Sequence, residues 1–323
     1  MIRDVNRAAN AGAFSLRPLS GGNLIGSNGM STLIAFPNPW TAWVMIPTEG
    51  DAVHIWHTGN GGQHWSMTTI SHAALSGGVG ILQVAAVGNH DAWMVATSGA
   101  LAGHVAFQVW RTQNHVPWRQ VYQGEVSGTS GLTFITGTQG ILTGGNNVYE
   151  GHDSASLLVT RDRGTIWTPP QTSLPVLPGN WATTVLAPTT IPHTDTVLVP
   201  VLLQKPFPSK TAPLKTWWQL DQSVNGGKTW HALPTPDPVL KQPPQTILQS
   251  WITPLNGWVV LGPHLFRTAD GGIRWKVSDL PAGDVINLSR VSTTTGFMLV
   301  HQGSQTVIYC THNGGITWFT MSS

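Results

Sequence analysis

The chain has 323 residues, among them 36 glycines, 23 prolines, 16 tryptophans and one cysteine, and only 9% are charged, against about 25% in an ordinary soluble domain. Its 41% apolar content excludes intrinsic disorder, and it has no unbroken apolar run of about 18 residues to form a membrane-spanning helix. The single Cys310 excludes an internal disulfide framework and a Cys-rich zinc site, and a net charge of +2 without Lys/Arg runs gives no support for a nucleic-acid partner.

Glycine, proline and tryptophan with so little Glu and Lys predict short strands and turns rather than helices. Thirteen histidines against three glutamates suggest tolerance of acidic surroundings. Met1–Phe14 has no apolar core of the kind a signal peptide needs. The expected compartment is extracellular or cell-envelope, with any leader outside this sequence; a cytoplasmic chain is the alternative. Ala8-Ala-Asn10-Ala-Gly12-Ala-Phe14 echoes the repeat described next. Residues 1–29 are therefore expected to be a closing strand or partial blade.

From residue 30 onward an octet recurs. It appears as Thr58-Gly-Asn60-Gly-Gly62-Gln-His-Trp65, and one residue short as Thr112-Gln-Asn114-His-Val-Pro-Trp118. It returns as Thr160-Arg-Asp162-Arg-Gly164-Thr-Ile-Trp167 and Ser223-Val-Asn225-Gly-Gly227-Lys-Thr-Trp230. The last copies are Thr268-Ala-Asp270-Gly-Gly272-Ile-Arg-Trp275 and Thr311-His-Asn313-Gly-Gly315-Ile-Thr-Trp318. Asn or Asp accepts bonds from nearby backbone N–H groups, glycine supplies positive φ, the hydroxyl bonds locally and the tryptophan buries a large face. All of these residues read as structural.

A period of about 50 residues is the length of one four-stranded propeller blade. The expected fold is all-β: one β-propeller domain over 1–323 with six blades in 30–323, or seven if the N-terminal echo belongs to a further blade. In the fifth repeat the strands fall at Thr246–Trp251, Trp258–Leu261, His264–Arg267 and Trp275–Ser278, here called A to D. Six tryptophans close octets, Trp43, Trp93 and Trp258 fall on strand B, Trp56 and Trp110 on strand C, and Trp251 on strand A. Trp40, Trp181, Trp217 and Trp218 remain as candidates for function.

The octet resembles the Asp-box, or bacterial neuraminidase repeat, S/T-x-D/N-x-G-x-T-W. Families with this motif include sialidases, xyloglucan hydrolases, sortilin-type receptors and the photosystem II assembly factor group. The last is the most similar, since Gly257-Trp258-Val-Val-Leu-Gly262 precedes the octet at Thr268 as its G-W-x-x-G element does. The resemblance implies octets in the C–D turns, with the B–C and D–A loops on the opposite, ligand-binding face. Those B–C loops are expected at Thr48–Asp51, Ser98–His104, Asn146–Ser156, Gln204–Thr216, Gly262–His264 and His301–Gln305. The candidate binding residues are Glu49, Asp51, Glu125 (in a D–A loop), Tyr149, Glu150, His152 and Asp153. A proline-stiffened basic and aromatic element adds Lys205, Lys210, Lys215, Trp217 and Trp218.

Catalytic sets are harder to find. The sialidase resemblance implies an arginine triad, a Tyr–Glu nucleophile pair and an Asp acid, but Met1-Ile-Arg3-Asp4 does not match that family's R-I-P element. Tyr149 and Glu150 would point to opposite faces of an extended strand. Paired-carboxylate hydrolysis through Glu49 and Glu150 would need a separation of about 5 or 6.5–9.5 Å. His54 and His57 fall on opposite faces of a strand, so no metal site is expected. P-loop, dinucleotide and serine-nucleophile motifs are missing, so neither is a cofactor. The reading is a non-catalytic propeller binding a protein or glycan. The rivals are a glycan-cleaving hydrolase and a surface or filament subunit whose partial blade is completed by a neighbouring copy.

Overall fold

A computed structural model of the chain describes residues 33–38, 40–47, 52–71, 79–101, 104–113, 117–126, 129–144, 156–172, 174–175, 182–204, 216–235, 239–240, 247–290, 292–303 and 305–320. Among these residues there is no helix, and the fold is a six-bladed β-propeller of antiparallel blades. The expected N-terminal closing strand or partial blade lies outside the described residues. The chain falls into two compact units of three blades, one holding the described residues up to Thr168 and the other those from Pro169.

In the first unit, blade 1 is β1 (Leu33–Asn38), β2 (Thr41–Pro47), β3 (Val53–Thr58) and β4 (Ser66–Ile70), paired in that order. Blade 2 is β5 (Val79–Val87), β6 (Asp91–Leu101), β7 (His104–Gln113) and β8 (Arg119–Val126). Blade 3 has β9 (Thr129–Phe134), β10 (Gly140–Gly144) and β11 (Ser156–Thr160). Its outer strand shrinks to one bridge, Val159 to Thr168. Pro169 and Pro170 follow at once, and a residue without an N–H cannot extend a ladder.

The strands alternate as a half-buried sheet requires. On β3, Val53, Ile55 and His57 are buried and His54 and Trp56 less so. Trp43, Met45, Ile55, Met94 and Trp110 form one core, and Trp93, Phe107, Leu132, Phe134 and Trp167 the next.

In the second unit, blade 4 contains β12 (Ala182–Val185), β13 (Thr189–Thr190), β14 (Val197–Gln204), β15 (Thr216–Ser223), β16 (His231–Leu233) and β17 (Val239–Leu240). It is a four-stranded blade whose inner and outer strands are both interrupted, since β12 and β13 both pair with β14, and β16 and β17 both pair with β15. The inner break falls at Leu186–Pro188, opposite Pro200 of β14; the outer one begins at Pro234. Proline removes the donor each ladder would use there. The Gln249 side-chain amide, from the next blade, donates to Ala187 O and Leu198 O at that gap.

Blade 5 is β18 (Leu248–Trp251), β19 (Gly257–Leu261), β20 (His264–Thr268) and β21 (Lys276–Asp279), within a residue or two of the expected strands. Blade 6 is β22 (Asp284–Arg290), β23 (Gly296–Gln302), β24 (Gln305–Thr311) and β25 (Phe319–Thr320). The Gly-Trp element has a steric cause. A Cβ at Gly257 would lie 2.4 Å from the Trp251 ring, and one at Gly296 would lie 2.5 Å from Trp258. Only glycine lets the neighbouring indole lie flat on the start of strand B.

The octets form one repeated turn. In each of the five full copies the Ser/Thr hydroxyl donates to the Asn/Asp carbonyl or carboxylate oxygen at 2.8–3.0 Å. The same hydroxyl accepts the N–H of the second glycine at 2.8–3.0 Å. The Asn/Asp oxygen then accepts the N–H four residues on at 2.9–3.0 Å. A second link is non-local: the residue before that second glycine donates its N–H to the A–B turn of the same blade. The acceptors are the carbonyls of Trp40, Thr138, Asp195, Leu255 and Thr294, at 2.7–3.0 Å.

Two predictions arise here. Thr160→Val keeps the side chain's shape but leaves the buried Gly164 N–H without its acceptor, so it is expected to cost about 1–3 kcal/mol in urea unfolding, with Thr160→Ser close to wild type. Arg163 holds φ 71° where the other full octets have glycine. Arg163→Gly relieves a left-handed backbone that side chains resist, at some cost in unfolded-chain entropy, for an expected net gain of about 0.5–1 kcal/mol in the same assay.

Candidate functional site

The octet hydroxyls and Asn/Asp oxygens are bonded within their own turns, and the B–C connections lie at the opposite ends of the strands. Three B–C connections are tighter than expected. Blade 2 pairs through Leu101↔His104, so the expected loop Ser98–His104 is mostly strand. Blade 5 turns through Gly262 and Pro263 between Leu261 and His264, with Gly262 at φ 56°. Blade 6 pairs Gln302 with Gln305, with Gly303 at φ 62°.

The turns of blades 5 and 6 and the D–A connection between those two blades carry several polar side chains. His264 Nδ1 and Asp279 Oδ1 are 2.9 Å apart, with the side chains 47% and 87% exposed. Leu280 N–H donates to Pro263 O at 2.8 Å and fixes the connection against the turn. Asp284 stands opposite His301 in the β22–β23 register. Gln302 donates to Tyr309 Oη at 3.2 Å and to Ala282 O. Gly283 lies at φ 125°, and a Cβ there would come within 2.6 Å of His301 O. A contact this exposed adds little stability; these residues instead offer imidazole, carboxylate and carboxamide groups to a polar partner. Asp279 and Asp284 were not among the residues singled out from sequence. Each stands opposite a histidine two residues from a B–C turn glycine, a signal visible once the register is known.

The predicted site residues fare unevenly. Glu49, Asp51, Tyr149, Glu150, His152, Asp153, Lys205, Lys210 and Lys215 lie outside the described residues, as do Asn114 of the short octet and Trp181. Glu125 is not in a loop: β8 runs on to Val126 and Glu125 pairs with Ala106. Trp217 and Trp218 are not in a loop either, since β15 begins at Thr216. Trp218 is 1% exposed, in the core beside Phe266 (5.7 Å between ring centroids) and Trp275 (6.5 Å). Strand alternation and the large apolar area of an indole put it inside with Leu220, and a ligand cannot reach it there. Trp217, one residue earlier, is half-buried. Trp40 is 50% exposed, but at the A–B turn beside the first octet.

Two buried arginines are anchored elsewhere. Arg111 is paired to Asp91 at 2.9 Å and lies 5.5 Å from the Trp93 ring centroid. Arg290 stands 4.4 Å over Trp258 and donates to Thr293 O, and burial lowers its pKa to about 10. At Asp162 burial pushes the carboxyl up, but bonds from Thr165, Ile166 and Thr160 outweigh it and hold it below its usual value. At Asp270 the Arg274 N–H does the same, with burial opposing. Asn60, Asn225 and Asn313 make the equivalent bonds without a charge.

No protein-family model and no curated protein matches the chain. Among solved structures it is similar to the BP39L lectin from Burkholderia pseudomallei, with a TM-score of 0.51, 12% identity, and 90% of this chain and 84% of that one covered. It is also similar to Penicillium chrysogenum α-L-arabinanase complexed with arabinobiose, with a TM-score of 0.51, 12% identity, and coverage of 84% and 88%. YCF48 bound to D1 peptide matches at 16% identity over 87% and 93% of the two chains, but its TM-score of 0.39 carries no argument. Identities this low speak to the fold alone.

Proposed function

We propose that the chain is a non-catalytic binding propeller of the Asp-box type, similar to the photosystem II assembly factor group, which recognises a protein or glycan partner through the strand ends opposite its octets. The observation that carries this reading is the octet hydrogen bonding. The hydroxyl, carboxylate and amide groups that a motif hunter would take for a site are spent on one another in all five full copies. Functional groups then belong to the opposite ends, with His264, Asp279, Asp284 and Gln302 in blades 5 and 6, and to the basic stretch with Lys205, Lys210 and Lys215. Binding loops on a rigid scaffold are a common division of labour, and a lectin among proteins of this fold is in keeping with it.

The test is capture on glycan and peptide arrays, followed by variants. His264→Ala with Asp279→Ala, or alanine at Lys205, Lys210 and Lys215, is expected to weaken binding about tenfold without moving the unfolding midpoint. Unchanged binding in both sets would remove the proposed face. Turnover of sialosides or glucans, abolished by Glu150→Gln, would replace the reading with a hydrolase.

A further inference from the structure

We propose that a depression between the first octet and the β5–β6 turn is a second binding site, selective for an anionic saccharide such as a uronate. It lies wholly in the first unit, has a volume of about 410 Å³, and is walled by His57, Asn60, His64, Trp65, Asn89 and His90. Three of the chain's thirteen histidines line it, and among the described residues no carboxylate does. Asp91, the residue after His90, is held by Arg111 at 2.9 Å. Among the described residues no three His, Cys, Asp or Glu side chains come close enough to hold a metal ion.

The first octet departs from its relatives at this depression. In the octets at Ser223 and Thr311 the asparagine amide donates to a threonine hydroxyl, Thr229 or Thr317, at 2.8 Å. In the first octet the same amide donates to His64 Nδ1 at 2.9 Å. That bond leaves the ring proton on Nε2 and turns a structural hydroxyl position into an imidazole donor. His57 is 6% exposed and held with its ring 4.0 Å from that of Trp43. Asn89 accepts from Thr41 at 3.0 Å, and Trp65 donates to Gly62 O at 3.1 Å, so the opposing walls are fixed as well. An indole beside imidazole and carboxamide groups suits a sugar ring whose C–H edges pack on the aromatic surface while its carboxylate takes N–H donors.

The test uses the full chain at pH 6 and low salt, titrated by NMR or calorimetry with methyl galacturonide, methyl galactoside and inorganic sulfate. The uronide is expected to bind at least about tenfold more tightly than either other probe. His64→Thr, which restores the residue the related octets carry, and His90→Ser, on an exposed turn, are each expected to weaken it by a similar factor with unfolding unchanged. Equal binding of the neutral glycoside, sulfate binding as tightly as the uronide, no saturation at millimolar uronide, or full binding in both variants would each overturn the site. A destabilised His64→Thr leaves His90→Ser to decide.

Discussion

Trp93→Ala is expected to destabilise the first unit by about 3–5 kcal/mol, in line with the loss of a large buried aromatic. Trp93 is fully buried on the central strand β6. Its ring stacks on Phe134 with centroids 3.7 Å apart and planes within 10°. Its Nε1 donates to Arg163 O at 2.9 Å, which ties strand B of blade 2 to the octet of blade 3. The alanine variant loses packing, stacking and that bond together, and Arg111 loses the ring beside it. Trp93→Phe keeps most of the packing and gives up the bond, so a loss of about 1–2 kcal/mol is expected. Urea unfolding followed by circular dichroism checks both; an alanine variant within about 1 kcal/mol of wild type would contradict the assigned packing.

The second large effect depends on pH. Asp221 lies on β15 with no exposed surface; Gln219 donates to its Oδ1 at 2.6 Å, and among the described residues Oδ2 has no hydrogen-bond partner. Burial raises its pKa to about 6 from 3.8, with the Gln219 bond opposing. The folded chain therefore keeps a proton that the unfolded chain releases between about pH 4 and pH 6. The contribution is fully present below about pH 4, falls as pH rises through 6, and leaves a penalty of up to about 3 kcal/mol above that. Asp221→Asn is expected to raise stability by about 1–3 kcal/mol at pH 7.5, to change it little at pH 4, and to flatten the slope between. A wild-type chain whose stability rises from pH 4 to pH 7, with the same slope in the variant, would contradict this account.

The octets were legible in sequence because they are local: every bond that closes the turn spans at most four residues. Blade number followed from their spacing, and the Gly257-Trp258 element from its repetition. The A–B carbonyls that receive octet N–H groups were not legible, since the partners lie more than ten residues apart and any residue can supply a carbonyl. Trp218 was misplaced because the lysine-rich stretch runs straight into β15. The alternation of Thr216, Trp218 and Leu220 was the available signal that it faces inward. Glu125 was misplaced for a similar reason, since β8 runs past it to Val126. Blade 4 hid its regularity because Pro188 and Pro234 break strands the repeat still calls for. Asp279 and Asp284 meet histidines only through antiparallel register, which composition does not reveal.

Hydrogen–deuterium exchange of the chain with and without a captured macromolecular partner tests the central claim most directly. The account predicts added protection at residues 262–264, 279–284 and 301–305 and in the basic stretch, with the octets at 160–167, 223–230, 268–275 and 311–318 unchanged. Protection confined to those octets, with the opposite strand ends untouched, would contradict it.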